Sequence, residues 1–395
     1  MKPFEPNQIK TFRTPKYTGI TLSLLSVFVL ASMIAVWNQM HSNSESKDLT
    51  LSIICENSLQ IPIGKSVDQF KKEINAPIKI EYFHAEELQE KLISTKNQKN
   101  AKYDLLISSN TTFQNQPFPK SLTDESISIA NYSLVFATKN DSGLKVKNWP
   151  DLLDQNITFG YCDQNTKSGK ELQRILELFK GRLSNSNNKI FKSTEELTNA
   201  LMSSSELDGI LIWYSTARKL GLKIYPIEEF ELNSISVTAK VISSSKQASK
   251  SLMFARFLAA PTRGQFYFAN NHLMGVDGDI WSKKPVITIY SEPDYENLLI
   301  DPIKHFEERE GVKINLLFPN IEKLIFTISS ITQSNAQNLL PDLLLVSKST
   351  AEEIPSNYTL INSKNSFSEG IFFLHQKSKY RSLSQRLINY KRSKK

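Results

Sequence analysis

Hydrophobic positions along the chain follow two regimes. Near the N-terminus, Ile20 to Trp37 forms one uncharged, mostly apolar run, ITLSLLSVFVLASMIAVW. As a helix rising about 1.5 Å per residue, it reaches about 27 Å, close to the hydrocarbon thickness of a bilayer. No later apolar run approaches that length. From residue 48 onward, short apolar strands alternate with amphipathic helices, and the alternation repeats. Residues 50–80, TLSIICENSLQIPIGKSVDQFKKEINAPIKI, can be laid over residues 286–316, VITIYSEPDYENLLIDPIKHFEEREGVKINL. Each predicts a strand, a polar turn containing Glu, a helix and a second strand. In the first helix Ile63, Val67, Phe70 and Ile74 recur at i, i+4, i+7 and i+11, one face of a 3.6-residue period. Phe306 occupies the position of Phe70. Further helices are predicted around Leu88-Leu92-Ile93 and Leu324-Ile325-Ile328, followed by strands at Tyr103–Ile107 and Pro341–Val346.

Strand–helix–strand–helix–strand with continuously apolar strands predicts an α/β fold, mainly parallel sheets with helices on both faces. Ligands of such sheets sit beyond the carboxyl ends of the strands, here Cys55–Leu59, Phe83–Glu87 and Ser108–Thr112. Lys2, Lys10, Arg13 and Lys16 precede the long apolar run against one acid, Glu5, which places the N-terminus in the cytoplasm and the remainder outside. The run exceeds a usual signal-peptide core and no small-x-small cleavage site follows it, which favours a retained single-span anchor. The expected order is therefore a cytoplasmic N-terminus (1–16), a transmembrane anchor in the lipid bilayer of the inner (cell) membrane (17–40) and a polar linker (41–47).

Net charge changes this picture little. The excess of +8 equals the eight basic residues after Glu369, from Lys377 to Lys395, so the rest is neutral on balance. A basic end of this kind lacks the aromatic-interleaved face of a nucleic-acid reader, and no nucleic-acid partner is expected. Cys55 and Cys162 provide no disulfide framework or CxxC metal site. They fall at corresponding strand tips, where they either face each other or act as small buried hydrophobes. Gly64-Lys65-Ser66 lacks the first glycine of a P-loop, which Leu59 replaces. Asn110-Thr111-Thr112 and Asn131-Tyr132-Ser133 match glycosylation sequons in a chain rich in Asn and Ser. No catalytic grouping is evident, and neither an enzyme nor a cofactor is expected.

The strand and turn Leu49–Asn57, Phe70-Lys71-Lys72-Glu73 and Asp104-Leu105-Leu106-Ile107-Ser108 resemble, in order and spacing, the type II periplasmic solute-binding proteins of the molybdate- and iron-binding kinds. Asp208-Gly209-Ile210-Leu211-Ile212-Trp213 is similar to the family's late strand, and Phe254–Pro261 with Gly264-Gln265 to its closing helices. Ile289-Tyr290-Ser291, Asp294-Tyr295, Pro302-Ile303 and Phe306-Glu307 look closer to iron-binding members. The resemblance implies a bilobed domain over 48–283, with lobe one at 48–130 and 240–283 and lobe two at 131–239. A second, shortened copy with the basic tail would occupy 284–395. Crossings near Asn131–Thr138 and Ser234–Val241 would form the hinge.

The resemblance also implies a ligand cleft. Asn57 and Ser58 fit its first loop, Thr166 and Ser168 a loop before a helix at 170–180, and Trp213 and Tyr214 the late strand tip. Hydroxyls and helix N-terminal amides suit a desolvated oxyanion. The second loop departs from that pattern with His84, Glu86 and Glu87, since a carboxylate repels an oxyanion. Glu86 and Glu87 also suit the first turn of a helix. Glu56, His84, Glu86 and Asp163, with Tyr214, alternatively suit a first-row metal. The expected function is a solute-binding protein that delivers a small inorganic ion or solute to an ABC-type permease. The alternative is a sensory or interaction module on the same fold with a degenerate cleft.

Overall fold

The computed structural model describes residues 50–95, 102–109, 122–139, 143–154, 157–179, 183, 188–203, 206–333, 340–361 and 370–390. The expected anchor and linker, residues 17–47, lie outside this set. Among the described residues no helix is long and apolar enough to cross a membrane.

The chain lays down β1 (Leu51–Glu56), β2 (Ile78–Phe83), β3 (Leu105–Ser109) and β4 (Thr123–Tyr132). It continues with β5 (Leu134–Thr138), β6 (Phe159–Cys162), β7 (Lys189–Phe191), β8 (Gly209–Trp213) and β9 (Lys223–Tyr225), and returns in β10 (Ile235–Ile242). Then follow β11 (Val286–Ser291), β12 (Lys313–Leu317), β13 (Leu343–Val346), β14 (Tyr358–Ile361) and β15 (Ile371–His375). The packing helices include α1 (Gln60–Ile74), α2 (Ala85–Thr95), α3 (Lys167–Leu178), α4 (Tyr214–Lys219) and α5 (Ala248–Ala259), and later α6 (Glu296–Glu310), α7 (Ile321–Gln333) and α8 (Arg381–Ile388).

These strands form three five-stranded sheets, ordered β2-β1-β3-β10-β4, β7-β6-β8-β5-β9 and β12-β11-β13-β15-β14. Every sheet has the same plan, in which three parallel strands are followed by two antiparallel ones. Alternation along the strands divides each core in two. In the first sheet Ile53, Cys55, Leu105 and Ile107 pack with α1 and α5, where Phe70, Phe254 and Phe257 meet edge to face or stacked. Ile54 and Leu106 point the other way, onto Leu88 and Leu92 of α2. The third sheet repeats this arrangement: Ile289, Leu343 and Leu345 pack with Phe306 of α6, and Leu344 and Val346 with Leu324 and Ile328 of α7.

The repeat extends to single hydrogen bonds. At the foot of each sheet an aspartate just before the third parallel strand accepts the N–H at the start of the first. Ser52 N donates to Asp104 at 2.9 Å, Thr158 N to Asp208 at 2.8 Å and Thr288 N to Asp342 at 2.9 Å. The two long helices also stop alike. Asn75 ends α1 at φ 55° and Gly311 ends α6 at φ 66°, both left-handed caps. Glycine is favoured at 311 by its left-handed backbone, and a Cβ there would also displace Ser249 Oγ of the adjoining helix, which would lie at 2.5 Å. Between β4 and β10 the chain builds the whole second sheet, whereas between β14 and β15 it has only residues 362–370.

The third sheet's layer is fastened to the first by buried charge. Glu310, at the end of α6, accepts from Arg256 Nη1 of α5 at 2.6 Å and from Arg386 Nε of α8 at 2.9 Å. Burial pushes the Glu310 carboxyl up, and the two guanidiniums more than reverse this, holding it below the usual range. Nearby, Arg309 pairs with Asp124 and Glu125 on β4. Asp279, in the connecting segment, accepts Ser382 N at 2.7 Å and Leu383 N at 2.8 Å, capping α8 from outside the helix. Glu310→Ala leaves two arginines facing each other without their counter-ion. It should cost about 3–5 kcal/mol in urea unfolding, and a cost under about 1 kcal/mol would contradict this account of the junction.

His375, at the end of β15, is buried beside the Tyr358 ring, 5.1 Å between ring centroids, and its Nε2 has no hydrogen-bond partner among the described residues. Burial lowers its pKa, with Lys377 adding to the shift and Asp342 opposing it. The folded state therefore binds this proton more weakly than the unfolded chain. Its contribution to stability is complete above the unfolded value of about 6.5 and is lost as pH falls below it. Unfolding midpoints at neutral pH and at about pH 5 should differ less in His375→Gln than in the parent chain.

Candidate functional site

Strand registers locate the cleft. In the first sheet Ser109, the tip of β3, pairs with Val237 near the start of β10, and Tyr132, the end of β4, pairs with Ile235. In the second sheet Trp213, the tip of β8, pairs with Leu134, the first residue of β5. The carboxyl ends of the parallel strands in both sheets thus converge on the two places where the chain passes between them, at Ser133 and at Asn233–Ser234.

Both passages are held firmly. Ser133 is buried; its carbonyl accepts Tyr214 N at 2.9 Å and its hydroxyl lies 3.3 Å from Phe230 O. Arg174 of α3 pairs with the buried Glu171 and donates to Asn233 O at 2.5 Å. Asn131 and Met274 exchange backbone hydrogen bonds of 2.9 and 3.1 Å. Two short connections of this kind let two lobes rotate without either one unfolding.

On the first-sheet side, Glu56 is the central group. Its Oε2 accepts Ser109 N at 2.9 Å and Ser109 Oγ at 3.0 Å, and its Oε1 accepts Ser58 Oγ at 2.8 Å. Ser58 Oγ also lies 3.5 Å from the Tyr132 hydroxyl. Burial raises the Tyr132 phenol to about 12, the Ser58 contact working against it and the Glu56 charge with it. Asn57 and Ser58 open the short turn Asn57–Leu59 that leads into α1. His84 is an exposed residue following β2, and Glu87 an exposed one on α2; Glu86 lies on the same helix, its side chain outside the described residues.

On the second-sheet side, the helix expected from residue 170 begins earlier, at Lys167, because Thr166 adopts extended backbone and caps it. Thr166 Oγ1 accepts Gly169 N at 3.0 Å and donates to Asp163 O at 2.8 Å. Gly169 is required there, since a Cβ would collide with the Asp163 carbonyl. Ser168 is buried, its Oγ 3.4 Å from that of Thr166. Asp163 accepts Asn165 N at 2.8 Å. Trp213 immediately precedes α4 and Tyr214 opens it, both partly buried.

The expected residues are therefore drawn into two groups, one on each side of the passages, with Ser109 and Tyr132 added to the first. Both lie within stretches singled out from the pattern, as a strand tip and a crossing, but nothing in the sequence pairs them with Glu56 and Ser58. Among the described residues, no three His, Cys, Asp or Glu side chains gather as a metal would require. Cys55 and Cys162 do not face each other; each is a free thiol buried in a different core. Burial, reinforced by Glu56, pushes the Cys55 thiol far up, which keeps it protonated and unreactive.

Two α/β lobes are joined by two short passages, with the tips of their parallel strands turned toward them, a bilobed α/β fold. The family model of the bacterial extracellular solute-binding proteins matches residues 51–267, more than half the chain, and the chain belongs to that family. Similar solved structures include the substrate binding domain assigned to a molybdenum ABC transporter from Clostridium difficile, 20% identical over 58% of this chain and 99% of that one, TM-score 0.44. Others are the ferric binding protein from Campylobacter jejuni (14%, 58% and 88%, TM-score 0.40) and the periplasmic molybdate-binding protein of Azotobacter vinelandii (14%, 57% and 100%, TM-score 0.32). No curated protein matches the chain.

Glu56→Ala should release the tip of β3 and leave a backbone N–H unpaired, costing about 1–3 kcal/mol in urea unfolding. Ser58→Ala, at an exposed hydroxyl, should stay within about 0.5 kcal/mol of the parent. Equal losses would mean that the Glu56 contacts do not brace the strands.

Proposed function

We propose that this protein is an extracytoplasmic receptor that captures a small inorganic ion or solute between its first two lobes and delivers it to an ABC-type permease. The observation that carries this reading is the convergence of both sets of strand tips on the passages at Ser133 and Asn233, where a ligand touching both sides would favour the closed state. Asn57, Ser58, Thr166, Ser168, Trp213 and Tyr214 are the proposed contacts. The uncharged run Ile20–Trp37 supports tethering to the membrane, which would keep the receptor beside its permease. The matching strand order and hydrogen bonds of the third sheet support a shortened second copy that kept one lobe.

One observation favours a second reading. Ser58 and Ser109 both donate to Glu56, so neither hydroxyl hydrogen is offered to an oxyanion, and the carboxylate itself opposes one. A cleft that has lost its ligand and serves as a sensory or interaction surface has the same appearance. Thermal unfolding with molybdate, sulfate, phosphate, Fe(III), Mn(II) and Zn(II) separates the two. A ligand at about 100 times its Kd should add about 2.7 kcal/mol of stability. That gain should fall in Tyr214→Ala and Thr166→Ala. A chain indifferent to all of them would favour the second reading.

A further inference from the structure

The feet of the first and third sheets meet where the described chain begins. Thr50 O accepts Gln247 Nε2 at 3.0 Å, and Ser249, two residues on, lies against Gly311. Gly311 leads into β12, whose first residue, Lys313, donates its N–H to Pro285 O at 3.0 Å. Ile280 N in turn donates to Lys379 O at 3.1 Å. These contacts gather Lys246, Lys283, Lys284, Lys313 and Lys379 at one end of the molecule, all exposed and none in an ion pair among the described residues. The acids nearby are engaged: Asp104 and Asp342 by backbone and serine donors, Asp279 by two amides, Asp124 and Glu125 by Arg309. Against the lysines stands exposed Glu308. Ile280 and Val286, 55% and 39% exposed, lie among them. At the tips of the third sheet, by contrast, exposed Asp294, Glu296 and Glu322 offset Lys323 and Lys348.

We propose that this end is a docking face for an anionic bilayer, held by the headgroup phosphates of acidic phospholipids. Lysines on flexible stems reach phosphates as point charges and need no fixed geometry. Each strengthens adsorption to a negative surface about fivefold, which is about 1 kcal/mol. Ile280 and Val286 enter the headgroup boundary, the pairing of basic and apolar groups that interfacial segments use. The course of the chain selects this occupant. Residues 38–49 join Thr50 to the uncharged run Ile20–Trp37 and span at most about 40 Å when extended. Tethering raises the local concentration of the face, so weak individual contacts suffice. Lys391-Arg392-Ser393-Lys394-Lys395 follow Tyr390, whose ring packs on Phe306 at 5.3 Å and which acts electrostatically on Arg309, so more positive charge is attached at the same end. The inference rests on the tethering part of the Proposed function and not on its ligand. It turns the strand tips and the passages away from the bilayer.

The test places the full-length protein in nanodiscs of phosphatidylcholine, alone or mixed with phosphatidylglycerol, and reads lysine acetylation rates by mass spectrometry. Lys246, Lys283, Lys284 and Lys313 should react about fivefold or more slowly in the anionic discs at low salt. Lys323 and Lys348, at the opposite end, serve as references and should react alike in both. The difference should vanish at about 1 M salt, where the Debye length is about 3 Å. Lys283→Gln combined with Lys284→Gln should lose most of the protection at Lys246 and Lys313 with the melting temperature unchanged. Equal rates in the two discs, equal slowing of Lys323 and Lys348, or full protection in the double variant would overturn the proposal. A chain that stays with neither disc would instead contradict the tethering reading. The face is then read by cosedimentation with phosphatidylglycerol vesicles, which should capture the parent and release the double variant; capture of neither, or of both equally, overturns it.

Discussion

Each sheet depends on one interaction, the aspartate at the foot of its third parallel strand. Asp104, Asp208 and Asp342 accept an N–H at or near the start of the first strand, just before that strand's pairing with the third begins. The bond ties together strands separated in the chain by two helices and a strand, and so fixes their stagger. With the stagger fixed at the foot, the opposite ends of the strands are placed as well. In the first sheet Glu56 then reaches Ser109, and in the third Glu292 reaches Ser347 N at 3.0 Å by the same geometry.

That second occurrence bears on Glu56. The third sheet keeps the carboxylate–serine pair although no second lobe is built between β14 and β15. A contact preserved where no opposing lobe stands is explained by bracing the strand tips, which is also how Glu56 is engaged in the first sheet. Under the proposed receptor function, ligand recognition would rest more on the second-sheet side, around Tyr214 and the capped start of α3, than on the carboxylate.

The junction follows a different physical rule. Glu310 between Arg256 and Arg386 is a buried ion triad, in which desolvation is offset only while all three partners stay in place. Such a contact tolerates little sliding, so the third-sheet layer is held in one orientation. Arg309 on Asp124 and Glu125 attaches it at the starting end of β4, the end of the first sheet opposite the tips of its parallel strands. The added layer thus leaves the cleft side uncovered.

The periodic segments were readable from residue order because their information is local. The Ile63-Val67-Phe70 stripe and the apolar runs at Leu105 and Leu343 state their own structure through spacing, and the overlay of residues 50–80 on 286–316 follows from the same patterns. Weakly patterned edge strands such as β7, β9 and β14 were not readable, since three or four residues acquire strand character only from a neighbour. The start of α3 was misplaced because the Lys167-Ser168-Gly169 turn looks like loop until Thr166 folds back to cap it. The Glu56–Ser109 and Glu310–Arg256 relationships join residues tens of positions apart and leave no periodic trace. What the sequence determined by itself was the α/β alternation and its repeat, because hydrophobic spacing dictates which faces must be buried, and, through the resemblance of its motifs, the family. Which polar groups meet at the strand tips and which charges are buried together was decided only by the tertiary structure, because those outcomes depend on distances set after the cores close.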